Sequence, residues 1–174
     1  MPDHPILKSV LSLIEDNDAK TLRVSFSSRK VKPGDKIPKR EAQEVPTLGW
    51  NAASGQKFLV VCLDIDAPFP TFAPLSPVLH WLQTGLAAEG STSGGDLTSP
   101  DPAIAHWAAP GPPPLSSPHR YIFLLYDQPA DFDTRTLAKA GGFGIRERMR
   151  WDLSRFEQQA KLGPAVAATY FLSN

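Results

Sequence analysis

The sequence predicts one mainly β domain over residues 1–174 with peripheral helices, and three observations predict it. Apolar runs at Phe58–Leu63 and Tyr121–Tyr126 have the length and composition of strands buried on both faces. Eighteen prolines cluster between apolar segments, as in long rigid connections between strands. No regular alternation of strand and helix appears, and no internal repeat, which sets aside a parallel α/β sheet and a solenoid. A chain of 174 residues buries a substantial core without a second domain.

Each element follows from local pattern. Ile6, Leu7, Val10, Leu11 and Ile14 share one face, so the spacing predicts an amphipathic helix over 6–15, ended by Asn17-Asp18. Leu22, Val24 and Phe26 alternate with polar residues, as a half-buried strand does. Pro33-Gly34 marks a turn, and a proline-bounded loop runs from Lys36 to Leu48. The strand Phe58–Leu63 closes on Asp64 and Asp66, spaced to share a face if the chain stays extended. Pro68, Pro70, Pro74 and Pro77 then bar regular structure. The chain resumes as an apolar segment, Val78–Leu82, with His80 at its centre.

Residues 86–102, rich in Gly, Ser, Thr and Asp, read as a mobile loop. Ala105-His106-Trp107 reads as a short strand. The run Ala108–Pro114 has two readings, a polyproline ligand for a partner domain and a rigid loop of the fold. Strong strands close on either side favour the second. His119–Tyr126 opens on ionisable residues, as the first strand closes on them. Thr134–Ala140 predicts a short helix stopped by Gly141-Gly142. Asp152–Lys161 predicts a better-marked one, capped by Asp152 or Ser154 and ended by Gly163-Pro164. Ala165–Leu172 closes the chain as a strand.

Composition removes several classes of function. Eighteen basic residues balance 18 acidic ones, so no field or basic stripe points to nucleic acid or to an anionic membrane. The single cysteine, Cys62, excludes an internal disulfide and reads as a buried, inert thiol. No apolar run reaches membrane-spanning length and the N-terminus lacks a signal-peptide pattern, so a reduced, soluble, cytoplasmic protein is expected. No phosphate-cradling glycine loop and no Gly-x-Ser-x-Gly turn occurs.

What remains is a set of carboxylates and imidazoles: Asp64, Asp66, His80 and His119. A carboxylate beside an imidazole raises the histidine pKa while burial opposes the charge, so the pair holds a proton near neutral pH. Such pairs serve general acid/base catalysis. Bland readings stand beside these. Asp66 accepts backbone N–H groups of the proline loop on one of them. His80, between Leu79 and Trp81, is a hydrogen-bonded core residue on another. Arg120 points away from His119 and pairs with an acid. Two aspartates and two histidines also suit zinc or iron, but no Cys cluster or helical His-x-x-x-His spacing supports a metal, and none is assigned. No cofactor is called for.

Three blocks, in order, carry a resemblance. Asp64-Ile65-Asp66-Ala67-Pro68 followed by His80-Trp81 resembles the Asp-Pro-Asp-Ala-Pro and His-Trp signature of the phosphatidylethanolamine-binding protein family. Gly111-Pro112-Pro113-Pro114 with His119-Arg120-Tyr121-Ile122-Phe123-Leu124-Leu125-Tyr126 resembles its second block. Leu162-Gly163-Pro164-Ala165-Val166-Ala167 with Tyr170-Phe171 resembles its ending. The resemblance implies an antiparallel β-sandwich of Greek-key type and a small anion-binding pocket. It implies Asp64, His80 and His119 as the reactive set, with Asp66, Pro68, Trp81, Trp107, Pro110, Gly111, Pro112, Tyr121 and Tyr170 contacting ligand. Relatives bind phosphoryl or carboxylate groups, and some inhibit kinases or serine proteases.

The departures give the expectation its direction. Ile65 replaces a proline, Pro77-Val78 stands where the family has Glu-Trp, and Trp107 and Ala109 stand where it tends to have Tyr and Gly. The C-terminal helix of many eukaryotic relatives has no counterpart before Asn174. A wider, more apolar and more open pocket is expected. Two functions compete. The first is a cofactor-free cyclase, isomerase or hydro-lyase acting on an aromatic or polyketide-like metabolite, with Asp64 and His80 exchanging the proton and His119 orienting substrate or completing the relay. The second is a non-catalytic binder of a phospholipid head group, or an inhibitor with a protein partner.

Overall fold

The structure is a computed structural model, and it describes residues 3–15, 17–53, 55–88, 95–137 and 142–174. Its strands are β1 (Arg23–Phe26), β2 (Arg29–Val31), β3 (Asp35–Lys36), β4 (Thr47–Gly49), β5 (Phe58–Asp64), β6 (Val78–Ala88), β7 (Asp96–Thr98), β8 (His119–Asp127) and β9 (Ala167–Ser173). Helices α1 (Pro5–Ile14), α2 (Ile145–Arg148) and α3 (Leu153–Gln159) lie outside them in sequence. The strands form one continuous sheet in the order β2-β1-β4-β7-β6-β5-β8-β9-β3. Every pairing is antiparallel except that of β3 with β9.

β6 is the hinge of the architecture. Its first part pairs with β5 and its last two residues, Ala87 and Ala88, pair with β7. Before that switch the register with β5 slips between Gln83 and Leu86, next to Gly85, whose φ of +69° suits a residue without Cβ. A Cβ there would also collide with the Asp101 carboxylate. The sheet therefore folds over on itself, and the antiparallel sandwich expected from the sequence is what forms.

Strand alternation divides the core. Phe58, Val60 and Cys62 of β5 face the same way as Tyr121, Phe123 and Leu125 of β8 and pack against Leu22, Val24, Phe26 and Leu48 of the other half. Leu59, Val61 and Leu63 face the opposite way, with Ile122 and Leu124, toward Val10 of α1 and Phe156 of α3. All seven residues of β5 are buried, as its unbroken apolar run predicts. Cys62 lies wholly inside, and burial pushes its thiol pKa up.

Several expectations change. The apolar segment at 78–82 continues to Ala88, because Thr84 and Gln83 are tucked into the sheet. Asp96–Thr98 is a strand too, so the loop expected over 86–102 is confined at both ends; 89–94 lie outside the described residues. The loop expected over 36–48 ends in β4, and the turn before it contributes β3. Ala105 makes only an isolated bridge to Leu82 rather than a strand. Of the helix expected over 134–140, Thr134–Thr136 is a single 3-10 turn, and 138–141 lie outside the described residues. α2 had no apolar periodicity to announce it. Among the described residues no helix is long and apolar enough to cross a membrane.

Candidate functional site

A break in register builds the site. Cys62 pairs with Trp81 and Leu63 with Leu79, so one step along β5 spans two along β6. His80 is the extra residue of this β-bulge. Alternation would turn His80 and Trp81 to opposite faces, yet both rings meet Trp107, at centroid distances of 6.5 and 6.2 Å. The bulge thus turns His80 toward β8, where it sits edge-on to Tyr121 at 5.0 Å.

The hydrogen bonds fix where the protons are. Nδ1 of His80 lies 2.5 Å from the Ala108 carbonyl, which only accepts, so Nδ1 carries the hydrogen. Nε2 faces Oδ2 of Asp64 at 4.0 Å. Burial is the largest influence on this ring and holds its pKa below the ordinary histidine value, against the opposing pull of Asp64 and Ala108. At neutral pH His80 is a neutral imidazole whose Nε2 bears a lone pair.

His119 is the reverse case. Nδ1 donates to Oδ2 of Asp64 at 2.8 Å, and Nε2 lies 3.1 Å from the Pro68 carbonyl and 3.0 Å from Oγ of Ser116. The Ser116 hydroxyl gives its own hydrogen to the Ser117 carbonyl at 2.8 Å, so toward His119 its oxygen accepts. Both ring nitrogens therefore donate, and His119 is an imidazolium. Burial pulls its pKa down most strongly, but the hydrogen bond and charge of Asp64, joined by Asp66 and Pro68, carry it above the ordinary value. Asp64 completes the group by accepting the Asp66 N–H on Oδ1 at 2.8 Å.

Asp64, His80 and His119 converge on one cavity of about 340 Å³. Pro68, Gly111 and Tyr121 also stand in its wall, together with Leu75, Val78, Ala109, Ile145, Arg148 and Met149. Pro110 and Pro112 are buried in the loop that presents Gly111 and Pro113, rather than on the wall. Trp81 is core, only 4% exposed. Trp107 stacks on Phe123 and donates from Nε1 to the Ala42 carbonyl at 3.3 Å, standing behind His80.

Like Trp81, Trp107, Pro110 and Pro112, two further residues expected to contact ligand lie off the cavity wall. Asp66 does not share the face of Asp64, because β5 ends at Asp64 and the chain turns. Its carboxylate takes the Arg120 backbone N–H at 2.8 Å and the guanidinium Nε and Nη2 at 2.7 and 2.5 Å, a buried ion pair away from the cavity. Tyr170 pairs with Ile122 and packs with the helix-side core, whereas its neighbour Phe171 takes the face of Tyr121 and stacks on it at 5.1 Å. One residue of alternation puts Tyr170 behind the sheet.

Sequence reasoning missed Arg148. Its run, Ile145-Arg146-Glu147-Arg148-Met149-Arg150, has no apolar periodicity or motif to mark it. Yet Nη1 donates to the carbonyls of Leu79 and His80 at 3.1 and 3.2 Å, Nη2 to His106 at 2.8 Å and Nε to Phe143 at 3.1 Å. Burial lowers its pKa. Ser116 was missed too, since a lone serine near prolines carries no signal. Among the described residues no group of three or more His, Cys, Asp or Glu side chains gathers to hold a metal ion.

With this geometry in view, the comparisons are informative. The family model for phosphatidylethanolamine-binding proteins matches residues 27–171. The chain belongs to the phosphatidylethanolamine-binding protein family. An uncharacterised protein of Saccharomyces cerevisiae is 31% identical over 127 residues, 68% of this chain and 63% of its own length. Phomoidride biosynthesis cluster protein N of Talaromyces stipitatus is 28% identical over 157 residues, 82% of this chain and 78% of that protein. The fold is shared with the carboxypeptidase Y inhibitor solved with its cognate proteinase, at TM-score 0.77 and 23% identity over 98% of this chain and 91% of that one. In this phosphatidylethanolamine-binding protein family member the cavity is therefore lined by the motif residues Asp64, Pro68, His80, Gly111, His119 and Tyr121, with α2 closing one side.

Proposed function

We propose that this family member binds a small, largely apolar metabolite and moves a proton on it, with His80 as base and Asp64 as its charged partner. One observation carries the reading: Nε2 of a neutral His80 faces the Asp64 carboxylate at 4.0 Å in the wall of a cavity. Two acceptors facing one another suit a ligand that donates, and a hydroxyl fits better than a phosphate. Ala67, Leu75, Val78, Ala109 and Met149 give the cavity apolar walls suited to an aromatic or polyketide-like skeleton. His119, with both nitrogens engaged, anchors the Asp64 carboxylate rather than carrying protons to substrate.

The step that uses these parts is intramolecular addition of a hydroxyl to an alkene polarised by a carbonyl. His80 Nε2 takes the hydroxyl proton, the oxygen forms a C–O bond as the π bond opens, and the imidazolium returns the proton to carbon. Atoms and charge balance with no other reactant. The likeness to a biosynthesis cluster protein points the same way. Cyclisation of 2′-hydroxychalcone, followed by loss of the enone absorbance, tests the reading across a panel of hydroxylated enones. The panel should contain a substrate whose conversion His80→Ala and Asp64→Asn abolish; conversion unchanged in both variants would refute the assignment.

A second reading, non-catalytic binding of a phosphorylated head group or inhibition of a protease, is favoured by the fold shared with the carboxypeptidase Y inhibitor. Phe72 and Leu115, exposed on loops that flank the cavity wall, would then meet a protein partner. Calorimetry with phosphorylethanolamine, and inhibition assays against carboxypeptidase Y, decide this. Micromolar head-group binding that survives His80→Ala would favour the second reading over the first.

A further inference from the structure

We propose that Arg148 is the positioning residue for His80: its guanidinium ties the bulge that carries the imidazole to the segment that orients it. This rests on His80 being the working base, but it concerns a residue outside the family motifs and makes its own prediction.

His80 needs two things held still. One is the β6 bulge, where the extra residue disturbs the ladder. The other is Ala108, whose carbonyl fixes the ring through Nδ1 and whose N–H returns a bond to the His80 carbonyl at 2.8 Å. Upstream, the segment with Ala108 meets β6 at the isolated bridge between Ala105 and Leu82. Arg148 fills the interval. Nη1 reaches the Leu79 and His80 carbonyls on the bulge, and Nη2 reaches His106, between the two attachment points. The planar fork spans both segments, which a lysine ammonium, a point charge, does not reproduce.

The side chain is itself braced. Its Nε donates to Phe143, and past α2 the N–H groups of Arg150 and Trp151 bond to the carbonyls of Leu75 and Pro77, just before β6, at 2.8 Å each. Among the described residues its partners are all carbonyls, with no carboxylate to cancel the charge. That charge acts on His80 alongside Asp64 and His119, while Tyr121 and Trp107 cover the ring and Ala108 holds Nδ1. Arg148 and His119 favour neutral His80; Asp64 favours the cation.

The test is NMR of the imidazoles in the full chain, which needs no substrate. Arg148→Met and Arg148→Lys are compared with the parent and with Arg146→Met, an exposed neighbour on the same turn. In Arg148→Met the His80 titration midpoint should rise and its ¹⁵N shifts should lose the Nδ1–H signature, while those of His119 stay put. Arg148→Lys keeps the charge, so the Nδ1–H preference should weaken with a smaller rise. Arg146→Met should change neither. If Arg148→Met fails to fold, the lysine variant decides. A folded Arg148 variant with parental His80 midpoint and tautomer overturns the proposal. If the shifts appear but the parent converts no enone, the positioning role stands and the catalytic reading falls. If the parent converts and Arg148→Met converts equally well, the positioning role falls alone.

Discussion

His119 donates from Nδ1 to Oδ2 of Asp64 at 2.8 Å, while His80 holds Nε2 at 4.0 Å from the same oxygen. One carboxylate thus serves two imidazoles in opposite states. The pair with His119 is the more consequential for stability, because it leaves neither charge alone in the interior. His119→Ala should cost about 3–5 kcal/mol, the usual loss when a buried charge is stripped of its partner. Chemical denaturation measures it; a loss under about 1 kcal/mol would mean the pair behaves like a surface contact.

The two histidines should also leave opposite marks on the pH dependence of stability. The His119 pKa is raised in the folded state, so its contribution is full below the unfolded value near 6.5 and is lost as pH rises through the folded value. The His80 pKa is lowered, so it costs stability as pH falls below the unfolded value. Denaturation midpoints followed from pH 5 to 9 should show the parent's advantage over His119→Gln shrinking on the alkaline side. An advantage that grows there contradicts the imidazolium assignment.

Asp66 separates support from function. Its carboxylate is consumed by Arg120, so Asp66→Asn should destabilise the fold by several kcal/mol, about 3–5 on the same reasoning. Folded Asp66→Asn should still bind and convert ligand as the parent does. Asp64→Asn should instead abolish conversion. If folded Asp66→Asn loses ligand outright, Asp66 belongs to the site after all.

Leu115 offers a prediction from the backbone alone. It has φ of +66° and lies third in the turn Pro113–Ser116, closed by the Ser116 N–H to the Pro113 carbonyl at 3.1 Å. That position favours glycine. The Leu115 side chain is fully exposed, so nothing is lost from the core on removing it. Leu115→Gly should stabilise the protein by about 1 kcal/mol. A destabilised variant would show that Leu115 packs in solution.

The sequence made the core and the motif residues legible for different reasons. β5 from Phe58 to Leu63 and β8 from Tyr121 to Tyr126 are unbroken apolar runs, and a strand buried on both faces has little choice. Asp64, His80 and His119 could be gathered because each ends or interrupts an apolar run. The bulge was not legible: a one-residue slip leaves no trace in composition, although it decides that His80 faces the cavity. Tyr170 went astray by the same arithmetic, since parity along β9 places it behind the sheet. Asp66 failed for want of the turn after Asp64, though its partner Arg120 was rightly expected to pair with an acid. Arg148 was hidden because a guanidinium that bonds carbonyls needs no acidic neighbour in sequence.

The pH profile of kcat/KM for cyclisation of a hydroxylated enone bears most directly on His80. Conversion should fall on the acid side with a half-point below the ordinary histidine value, the free base being the working form. His80→Ala should remove both the limb and the activity. Conversion by His80→Ala at the parental rate, with the acid limb intact, would contradict the account.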